Sequence, residues 1–291
     1  MLGHEIAGVV AKTGCDVTCM QPGDRVQVAP GLPCGTCASC LTGMHHLCNG
    51  IKIMGFHHDG GFAEYVLVPG NGVKNGVLNK IPEALTFYEA ALTEPLACCV
   101  NMQETAGIRE SDSVVIFGAG PLGILNAKLA RQRGAGRIIL VEKKKSRIDA
   151  VKGVFDDSIN SKEEDVARKI QEMTDGNGVD AAIPSCPDPQ AFADSLSVLA
   201  KKGRLCFFSG LVTDTPVHAI DLNLIHYKEL AVFGAYGCSS RHNRIALELM
   251  ATGMIRVQDM TTRILPLTAL VKGIEMVANR KETNIIIDPT I

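Results

Sequence analysis

Four cysteines lie close together near the start of the chain, in the stretch PGLPCGTCASCLTGMHHLC. Cys34, Cys37, Cys40 and Cys48 follow the spacing C-x2-C-x2-C-x7-C, and the small residues between the first three allow the chain to wrap around one point. Four thiolates complete a tetrahedral zinc shell and leave no open position, so the spacing predicts a structural metal site. Iron–sulfur clusters are also held by four thiolates, and that alternative stays open at this point.

A glycine-rich turn in the stretch SVVIFGAGPLGILNAKLA predicts a second kind of binding site. Gly118, Gly120 and Gly123 form the pattern G-x-G-x-x-G, which includes Pro121 and Leu122 and lies between a β-branched run and a helix-forming run. The first glycine permits a tight turn, the second lets the backbone approach a pyrophosphate, and the third allows close helix–strand packing. The pyrophosphate then lies at the helix N-terminus. We expect a dinucleotide there, the alternative being a plain βαβ turn.

The next apolar run, RIILVE, ends at Glu142, about 20 residues after the glycine motif. A carboxylate at that position accepts hydrogen bonds from a ribose 2′-hydroxyl and repels a 2′-phosphate, so the sequence predicts NAD rather than NADP. Lys143, Lys144, Lys145 and Arg147 follow directly and would suit a phosphate, which keeps NADP as the less favoured cofactor. Without a dinucleotide, these basic residues would be a solvated face.

The residues Gly3-His4-Glu5 precede the β-branched run IAGVV. A histidine and a carboxylate side by side before a strand are typical of metal ligands at the mouth of that strand. The other histidines of residues 1–80 are expected to be surface or loop residues; they are His45, His46, His57 and His58. The dispersed cysteines are expected to be buried apolar thiols, the default for a free cysteine; they are Cys15, Cys19, Cys98, Cys99, Cys186, Cys206 and Cys238.

The elements that must position these residues fall into two kinds. Residues 1–80 contain short β-type runs separated by Gly and Pro, such as EIAGVVAKTG, DRVQVAP and GGFAEYVLVP, which predict an all-β region. From about residue 85, the helical stretch TFYEAALTEPLACCVNMQE leads into strands that alternate with helices, including a helix AFADSLSVLAKKG. This alternation predicts right-handed crossovers and a parallel, doubly wound sheet. The tail contains an amphipathic helix, RIALELMATG, and a last apolar run, NIIIDP.

Composition narrows the function classes further. The length of 291 residues suits two domains, and the net charge of −2 gives no reason to expect nucleic acid or an anionic membrane as a partner. The first residues lack a signal-peptide pattern, and Gly, Pro or charge interrupts every apolar run before membrane-spanning length. Eleven cysteines, four of them clustered, favour a reducing compartment in which thiolates bind metal. We therefore expect a cytoplasmic protein.

The motifs together resemble those of a known family. GHEIAGVV, PGDRV, the four-cysteine lobe, DGGFAEY, TEPLAC and GAGPLG occur in the order found in zinc-dependent medium-chain dehydrogenases and cover nearly the whole chain. The chain looks closest to the polyol branch, which includes sorbitol dehydrogenase. The resemblance implies an α/β fold with a Rossmann domain and a GroES-like β-barrel catalytic domain. We expect residues 1–88 to be the catalytic domain with its zinc lobe, 89–237 the NAD-binding domain, and 238–291 the return to the catalytic domain.

The same resemblance implies a second, catalytic zinc. His4 corresponds to the family's histidine ligand, Glu5 to the adjacent acid and Glu94 to the acid of a later helix, while Arg147 corresponds to a basic residue near the adenosine ribose. The zinc would polarise an alcohol oxygen, and a hydride would pass from the alcohol carbon to the nicotinamide. Without a metal, His4 would be an ordinary barrel residue, and Glu94 with Pro95 would be a helix start.

In the family, an early segment with a cysteine ligand and a proton-relay hydroxyl precedes GHE, whereas here only Met1 and Leu2 do. We therefore expect an incomplete chain start, unpaired sheet edges, one tight zinc at the lobe and a weak catalytic metal. No later cysteine obviously replaces the missing ligand, and only a structure can exclude Cys15 or Cys19 from that role. The alternative function is a catalytically impaired remnant that still binds NAD and the structural zinc.

The resemblance also bears on substrate and assembly. The stretch VFGAYG offers Ala235 and Tyr236 where polyol relatives carry an Arg-Tyr pair, which argues against sorbitol and leaves secondary alcohols, other polyols and sugar acids. We expect a small-molecule alcohol or polyol substrate, and a homodimer or homotetramer.

Overall fold

The computed structural model describes residues 1–211, 219–279 and 282–291. Contacts between Cα atoms divide the chain into two compact units. The first unit contains Met1–Asn101 and Tyr236–Ile291, and the second contains Met102–Ala235. None of the described helices is long and apolar enough to cross a membrane.

The strands, in chain order, are β1 Ile6–Val9, β2 Arg25–Val28, β3 Gly31–Leu32, β4 Lys52–Ile53, β5 Leu78–Lys80, β6 Ser113–Phe117, β7 Arg137–Glu142, β8 Asp157–Asn160, β9 Val179–Pro184, β10 Leu199–Phe207, β11 Ala231–Gly234, β12 Arg263–Pro266 and β13 Ile285–Asp288. The helices are α1 Ala38–Leu41, α2 Gly70–Lys74, α3 Phe87–Ala91, α4 Thr93–Thr105, α5 Pro121–Gln132, α6 Lys145–Ala150, α7 Val166–Met173, α8 Pro189–Ser197, α9 Leu222–Lys228, α10 Ser240–Ala251 and α11 Leu270–Ala278. Short 3-10 turns occupy His45–Leu47, Gln258–Met260 and Leu267–Ala269.

The first unit contains an antiparallel sheet in the order β1-β2-β5. Ile6 pairs with Val28, and alternate side chains of these strands enter a core that also contains Leu32, Met54 and Val77. Within the described residues, β1 and β5 are each paired on one side only. The unit also contains the antiparallel pair β3-β4 and the parallel pair β12-β13.

One predicted strand of this unit does not form. The amides of Gly60, Gly61 and Phe62 donate to the carbonyls of residues 1–3. No residue of GGFAEYVLVP, however, belongs to a strand. Tyr65 and Leu67 remain 77% and 82% exposed. The prediction of a strand there is wrong, because an alternating pattern provides a face for burial but not the neighbouring strand that a ladder needs.

Helix α3 packs with the end of the chain, and α4 leads into the second unit. A capping box starts α3: Glu89 accepts from the Thr86 amide at 2.7 Å, and the Glu89 amide donates to the Thr86 hydroxyl at 3.2 Å. The Tyr88 hydroxyl donates to Asp288 at 2.8 Å, so this segment packs with the chain's last residues. The boundary between the two compact units, at Asn101–Met102, lies inside α4.

The second unit is a parallel sheet in the order β11-β10-β9-β6-β7-β8, with six strands in the described residues. Numbered within the unit, this is the 3-2-1-4-5-6 order of a doubly wound dinucleotide-binding fold. Buried clusters around Val115 and Ile139 on one face, and around Val114 and Ile138 on the other, bury both faces. The strand order reverses between β6 and β9, which is where ligands bind in such sheets.

The helix predicted over AFADSLSVLAKKG ends earlier than its pattern suggested. Asp188 caps α8 by accepting from the Gln190 amide, and the helix stops at Ser197. The residues that follow are the start of β10, where Leu199 pairs with Val179 of β9. Ladder bonding to a buried strand outweighs the helix preference of the segment LAKK.

Candidate metal sites and dinucleotide-binding loop

The four-cysteine lobe is compact enough to hold a single ion. The sulfurs of the four cysteines all lie within 4.8 Å of one another; these residues are Cys34, Cys37, Cys40 and Cys48. The Sγ–Sγ distance is 3.9 Å from Cys34 to Cys40 and 3.5 Å from Cys37 to Cys40. Four sulfurs at about 2.3 Å from one zinc ion lie about 3.8 Å apart at the corners of a tetrahedron. The lobe therefore fits one tetrahedral ion, whereas a cluster would spread its thiolates over several irons.

Backbone amides of the lobe point at the sulfurs. The amides of Thr36 and Cys37 donate to the Cys34 sulfur at 3.5 and 3.4 Å, and the Cys34 amide donates to Cys48 at 3.3 Å. The Thr36 amide is the main reason why the pKa of Cys34 falls to about 5, while burial raises the pKa of Cys40 to about 12. Amide donors of this kind stabilise bound thiolates.

The predicted catalytic ligands also meet in the first unit. His4 Nε2 lies 3.8 Å from Glu94 Oε2, and one ligand atom from each of His4, Glu5 and Glu94 lies within 4.8 Å of the others. Glu5 as a whole residue is exposed, whereas local desolvation of its carboxyl, and then the charge of Glu94, raise the pKa of that carboxyl to about 8. Two carboxyls that repel each other beside an imidazole form a donor set that suits a divalent cation.

Local structure fixes this arrangement. Gly3 has a φ of +97°, and a Cβ there would lie 2.9 Å from the Phe62 nitrogen, so only glycine fits the turn before His4. The His4 ring lies 5.4 Å from the Phe56 ring. Glu94 is in the first turn of α4 and is buried.

Two cysteines extend the site beyond its predicted members. Cys98 Sγ lies 3.2 Å from Glu94 Oε1, and Cys238 Sγ lies 3.7 Å from the same oxygen. Contact with Cys238, followed by burial, holds the pKa of Cys98 well above its usual value. The sequence signal for Cys98 is its position four residues after Glu94 on a helix. Cys238 is 144 residues from Glu94, and no local pattern reveals it.

A cavity of about 220 Å³ in the first unit adjoins these residues. His4, His46, Glu94, Tyr236 and Cys238 are the lining residues with polar side-chain atoms, and Ile51, Ile53 and Phe56 are among the apolar ones. The arrangement combines metal-type ligands with an apolar wall, which is typical of a small-molecule site.

The glycine motif of the second unit forms the expected turn between β6 and α5. Gly118 has a φ of +105°, and a Cβ on Gly123 would lie 1.9 Å from the Gly118 carbonyl oxygen. Gly120 is the N-cap of α5 with Pro121 in the first turn, and its surroundings are open. Leu122 follows in the same turn. The turn leaves the helix N-terminus accessible, as pyrophosphate binding requires.

Glu142 ends β7 beside this turn, as predicted. Its Oε2 accepts from the Ala119 amide at 3.0 Å, and its Oε1 accepts from the amides of Lys143 and Lys144 at 2.8 and 2.9 Å. Arg147 reaches Glu142 Oε2 at 4.0 Å. The carboxylate therefore holds the glycine turn through the Ala119 amide.

Comparison with known proteins assigns the family. Residues 1–78 match the alcohol dehydrogenase GroES-like domain, and residues 121–252 match the zinc-binding dehydrogenase domain. D-xylulose reductase A of Aspergillus niger is 32% identical over 270 residues, which is 91% of this chain and 73% of that protein.

The chain belongs to the zinc-binding dehydrogenases.

Further relatives agree with this assignment. L-threonine 3-dehydrogenase of Bacillus velezensis is 32% identical over 291 residues, covering 99% of this chain and 82% of that protein. The crystal structure of a zinc-binding dehydrogenase from Sinorhizobium meliloti 1021, bound to NADP, is 30% identical with a TM-score of 0.89, over 99% of this chain and 83% of the other. The expected family, the Rossmann and GroES-like fold and the assignment as an oxidoreductase are confirmed.

Several expectations about individual residues need correction. His46 is half-buried and lines the cavity, and burial lowers its pKa, so it is not a surface residue. Cys15 and Cys19 are exposed, and they belong to none of the metal-type groups in the described residues. They lie in loops that no core element covers, so the default of burial fails for them. His57 and His58 are exposed loop residues, as expected.

Proposed function

We propose that this protein oxidises a small secondary alcohol or polyol by transferring a hydride to NAD, with zinc at the His4, Glu5 and Glu94 site. The observation that carries the proposal is the cavity, in which His4 and Glu94 face a space large enough for a small molecule. The names of two relatives, D-xylulose reductase A and L-threonine 3-dehydrogenase, support substrates with a secondary hydroxyl.

The residues divide the chemistry between them. Zinc, when bound, supplies Lewis-acid polarisation of the alcohol oxygen. His4 and the two carboxylates would hold the metal and offset its charge, while Phe56 contributes an apolar ring to the cavity lining. The hydroxyl of Tyr236 is available to a second hydroxyl of the substrate, because this side chain is 63% exposed and lines the same space.

We also propose that Gly118, Gly120, Pro121, Leu122 and Gly123 bind the dinucleotide, with Glu142 and Arg147 at its adenosine end. Glu142 favours NAD, because its carboxylate would repel a 2′-phosphate. Arg147 lies within 4.0 Å of that carboxylate and partly offsets its charge, which limits the preference. The relative from Sinorhizobium meliloti was crystallised with NADP, and the assay below therefore uses NAD and NADP separately.

Strand β11 and the cysteine lobe bear on the oligomeric state and the cellular compartment. Among the strands of the described residues, β11 is at the edge of the parallel sheet, and Val232 on it is 47% exposed. An open edge with an apolar side chain is suited to pairing with a second copy, so we propose a homodimer or homotetramer. Light scattering measures the mass directly. The thiolates of the lobe favour a reducing compartment, and we propose the cytoplasm.

An activity panel tests the proposed function. Zinc-replete protein is assayed with 2,3-butanediol, xylitol, sorbitol and threonine, using NAD and NADP separately. We expect NADH formation with at least one substrate, a loss of more than about tenfold in kcat/KM for Glu94→Ala, and no change for His57→Ala, an exposed loop control. NADH binding without turnover of any substrate would contradict the proposal and support the impaired remnant.

A further inference from the structure

A second set of ligands lies on the opposite oxygen of Glu94. Oε2 faces His4 at 3.8 Å, whereas Oε1 faces the sulfurs of Cys98 and Cys238 at 3.2 and 3.7 Å. One ligand atom from each of Glu94, Cys98 and Cys238 lies within 4.8 Å of the other two. Glu94 therefore connects a histidine–carboxylate set with a thiol–carboxylate set.

The spacing of the thiol–carboxylate set fits a zinc ion. With Zn–S bonds of about 2.3 Å and Zn–O bonds of about 2.1 Å, tetrahedral S–O edges are about 3.6 Å. The observed S–O distances of 3.2 and 3.7 Å differ from that edge by a few tenths of an ångström. Closing the set around an ion therefore requires only small side-chain adjustments.

Rigid elements hold the three side chains. Glu94 and Cys98 are one turn apart on α4, so the helix sets their separation. Cys238 directly precedes Ser239, which caps α10 through a capping box. Glu94 and Cys238 are both buried. Two ligands are on one helix and the third directly precedes a capped helix start, so the site is largely pre-organised before an ion binds.

A hydrogen-bond network supports the Cys238 sulfur from behind. Asn243 Nδ2 donates to Cys238 Sγ at 3.3 Å, and Asn243 Oδ1 accepts from Gln27 Nε2 at 2.9 Å. Asn79 in turn donates to Gln27 at 2.9 Å. An amide donor fixed in this way stabilises negative charge on the sulfur and orients it, as outer partners of metal ligands do.

We propose that Glu94, Cys98 and Cys238 bind one zinc ion, with the fourth position open to the cavity that Glu94 and Cys238 line. Two S–H bonds break and two Zn–S bonds form, and both protons pass to solvent. Thiolates are softer ligands than imidazole and carboxylate, so this set retains zinc more strongly than His4 and Glu5 alone. The proposal rests on the proposed function and revises its metal ligands: the zinc ion at this cavity is bound by Glu94, Cys98 and Cys238, and His4 and Glu5 lie beside it without binding a further ion.

Metal analysis with X-ray absorption at the zinc edge tests this on the unmodified protein. We expect two zinc ions per chain with an average of about three sulfurs each, because the lobe supplies four and the new set supplies two. This replaces the expectation of one tight zinc. An average of two sulfurs over two ions, or one ion with four, would overturn the proposal.

Cobalt substitution locates the extra sulfurs. In the Cys98→Ser/Cys238→Ser protein, we expect one metal fewer and a fall of about one third in sulfur-to-cobalt absorbance, from six Co–S bonds to four. Cys206→Ala removes a buried thiol from β10 of the second unit and serves as the control. Undiminished absorbance in the double variant refutes the assignment. If that variant does not fold, X-ray absorption of the native protein decides.

Different results would contradict the proposed function and the proposed metal site. A protein without dehydrogenase activity that still shows three sulfurs per zinc contradicts the proposed function and retains this metal site. An active protein whose second zinc has no sulfur contradicts the metal site alone.

Discussion

Gly120 and Gly123 are in the same turn but have different surroundings. Alanine substitutions at the two positions therefore test the packing of the turn and the approach of the cofactor separately. A Cβ at Gly123 would lie 1.9 Å from the Gly118 carbonyl oxygen, and real Cβ contacts are essentially never below 3.0 Å. Gly123→Ala must therefore move helix and turn apart by about 1.1 Å. At Gly120, no atom lies within 4 Å of the added carbon, and φ is −82°.

The magnitude follows from these two surroundings. Overpacking costs about 1–3 kcal/mol, and a backbone obstacle places Gly123→Ala near the upper end, at about 3 kcal/mol. Alanine regains about 1 kcal/mol of helix propensity over glycine. The free energy of unfolding should therefore fall by about 2 kcal/mol, which lowers Tm by about 4–8 °C. Gly120→Ala loses some N-cap preference but restricts the unfolded chain, so it should change stability by less than about 1 kcal/mol.

For cofactor affinity we expect the opposite order: Gly120→Ala should lose more NADH affinity than Gly123→Ala. The methyl group of Gly120→Ala occupies the space through which the backbone approaches a pyrophosphate, so NADH affinity should fall at least about tenfold, or about 1.4 kcal/mol. The chain contains no tryptophan, so NADH fluorescence reports binding without interference. Urea unfolding measures stability on the same samples. The reasoning is refuted if Gly123→Ala is as stable as the native protein, or if Gly120→Ala binds NADH equally well.

The other predictions concern cofactor choice, a buried ion pair and the cysteine lobe. Glu142→Gly should raise the NADP-to-NAD ratio of kcat/KM at least about tenfold, because it removes the carboxylate that repels a 2′-phosphate. Asp112→Ala should lower the free energy of unfolding by about 3 kcal/mol, since Asp112 is buried and its loss leaves the half-buried Arg204 guanidinium, now 2.6 Å away, without its carboxylate. Lys202→Ala, in an exposed pair, should change that energy by less than about 1 kcal/mol in the same urea titration. Cys40→Ser should release one zinc and open the lobe to proteolysis, whereas Cys15→Ser should retain the metal.

Each of these has a contrary result. A native protein that already prefers NADP would contradict the role given to Glu142. Equal urea midpoints for Asp112→Ala and Lys202→Ala would show that the buried pair contributes no more than the exposed one. Unchanged zinc content in Cys40→Ser would remove this cysteine from the lobe's ligand set.

Features that depend on neighbouring residues could be predicted from the sequence. The four lobe cysteines lie within fifteen positions, so the short chain itself limits how far apart their sulfurs can be. The glycine turn and Glu142 belong to one βαβ unit, in which parallel pairing of β6 with β7 places the strand end beside the turn. His4, Glu5 and Glu94 were assigned through family resemblance, and the fold brings them together.

Features that depend on residues distant in the chain could not be predicted from the sequence. The pattern in GGFAEYVLVP indicates a face but no neighbouring strand, so a strand was predicted where none forms. Cys98 follows Glu94 by one helical turn and was predictable in principle, whereas Cys238 reaches the same oxygen from 144 residues away. The sequence by itself determined the lobe, the dinucleotide turn and the family, because their geometry is set within short segments. Only the tertiary structure placed Cys238 and its Asn243 donor beside Glu94, because that contact depends on how α4 and α10 pack.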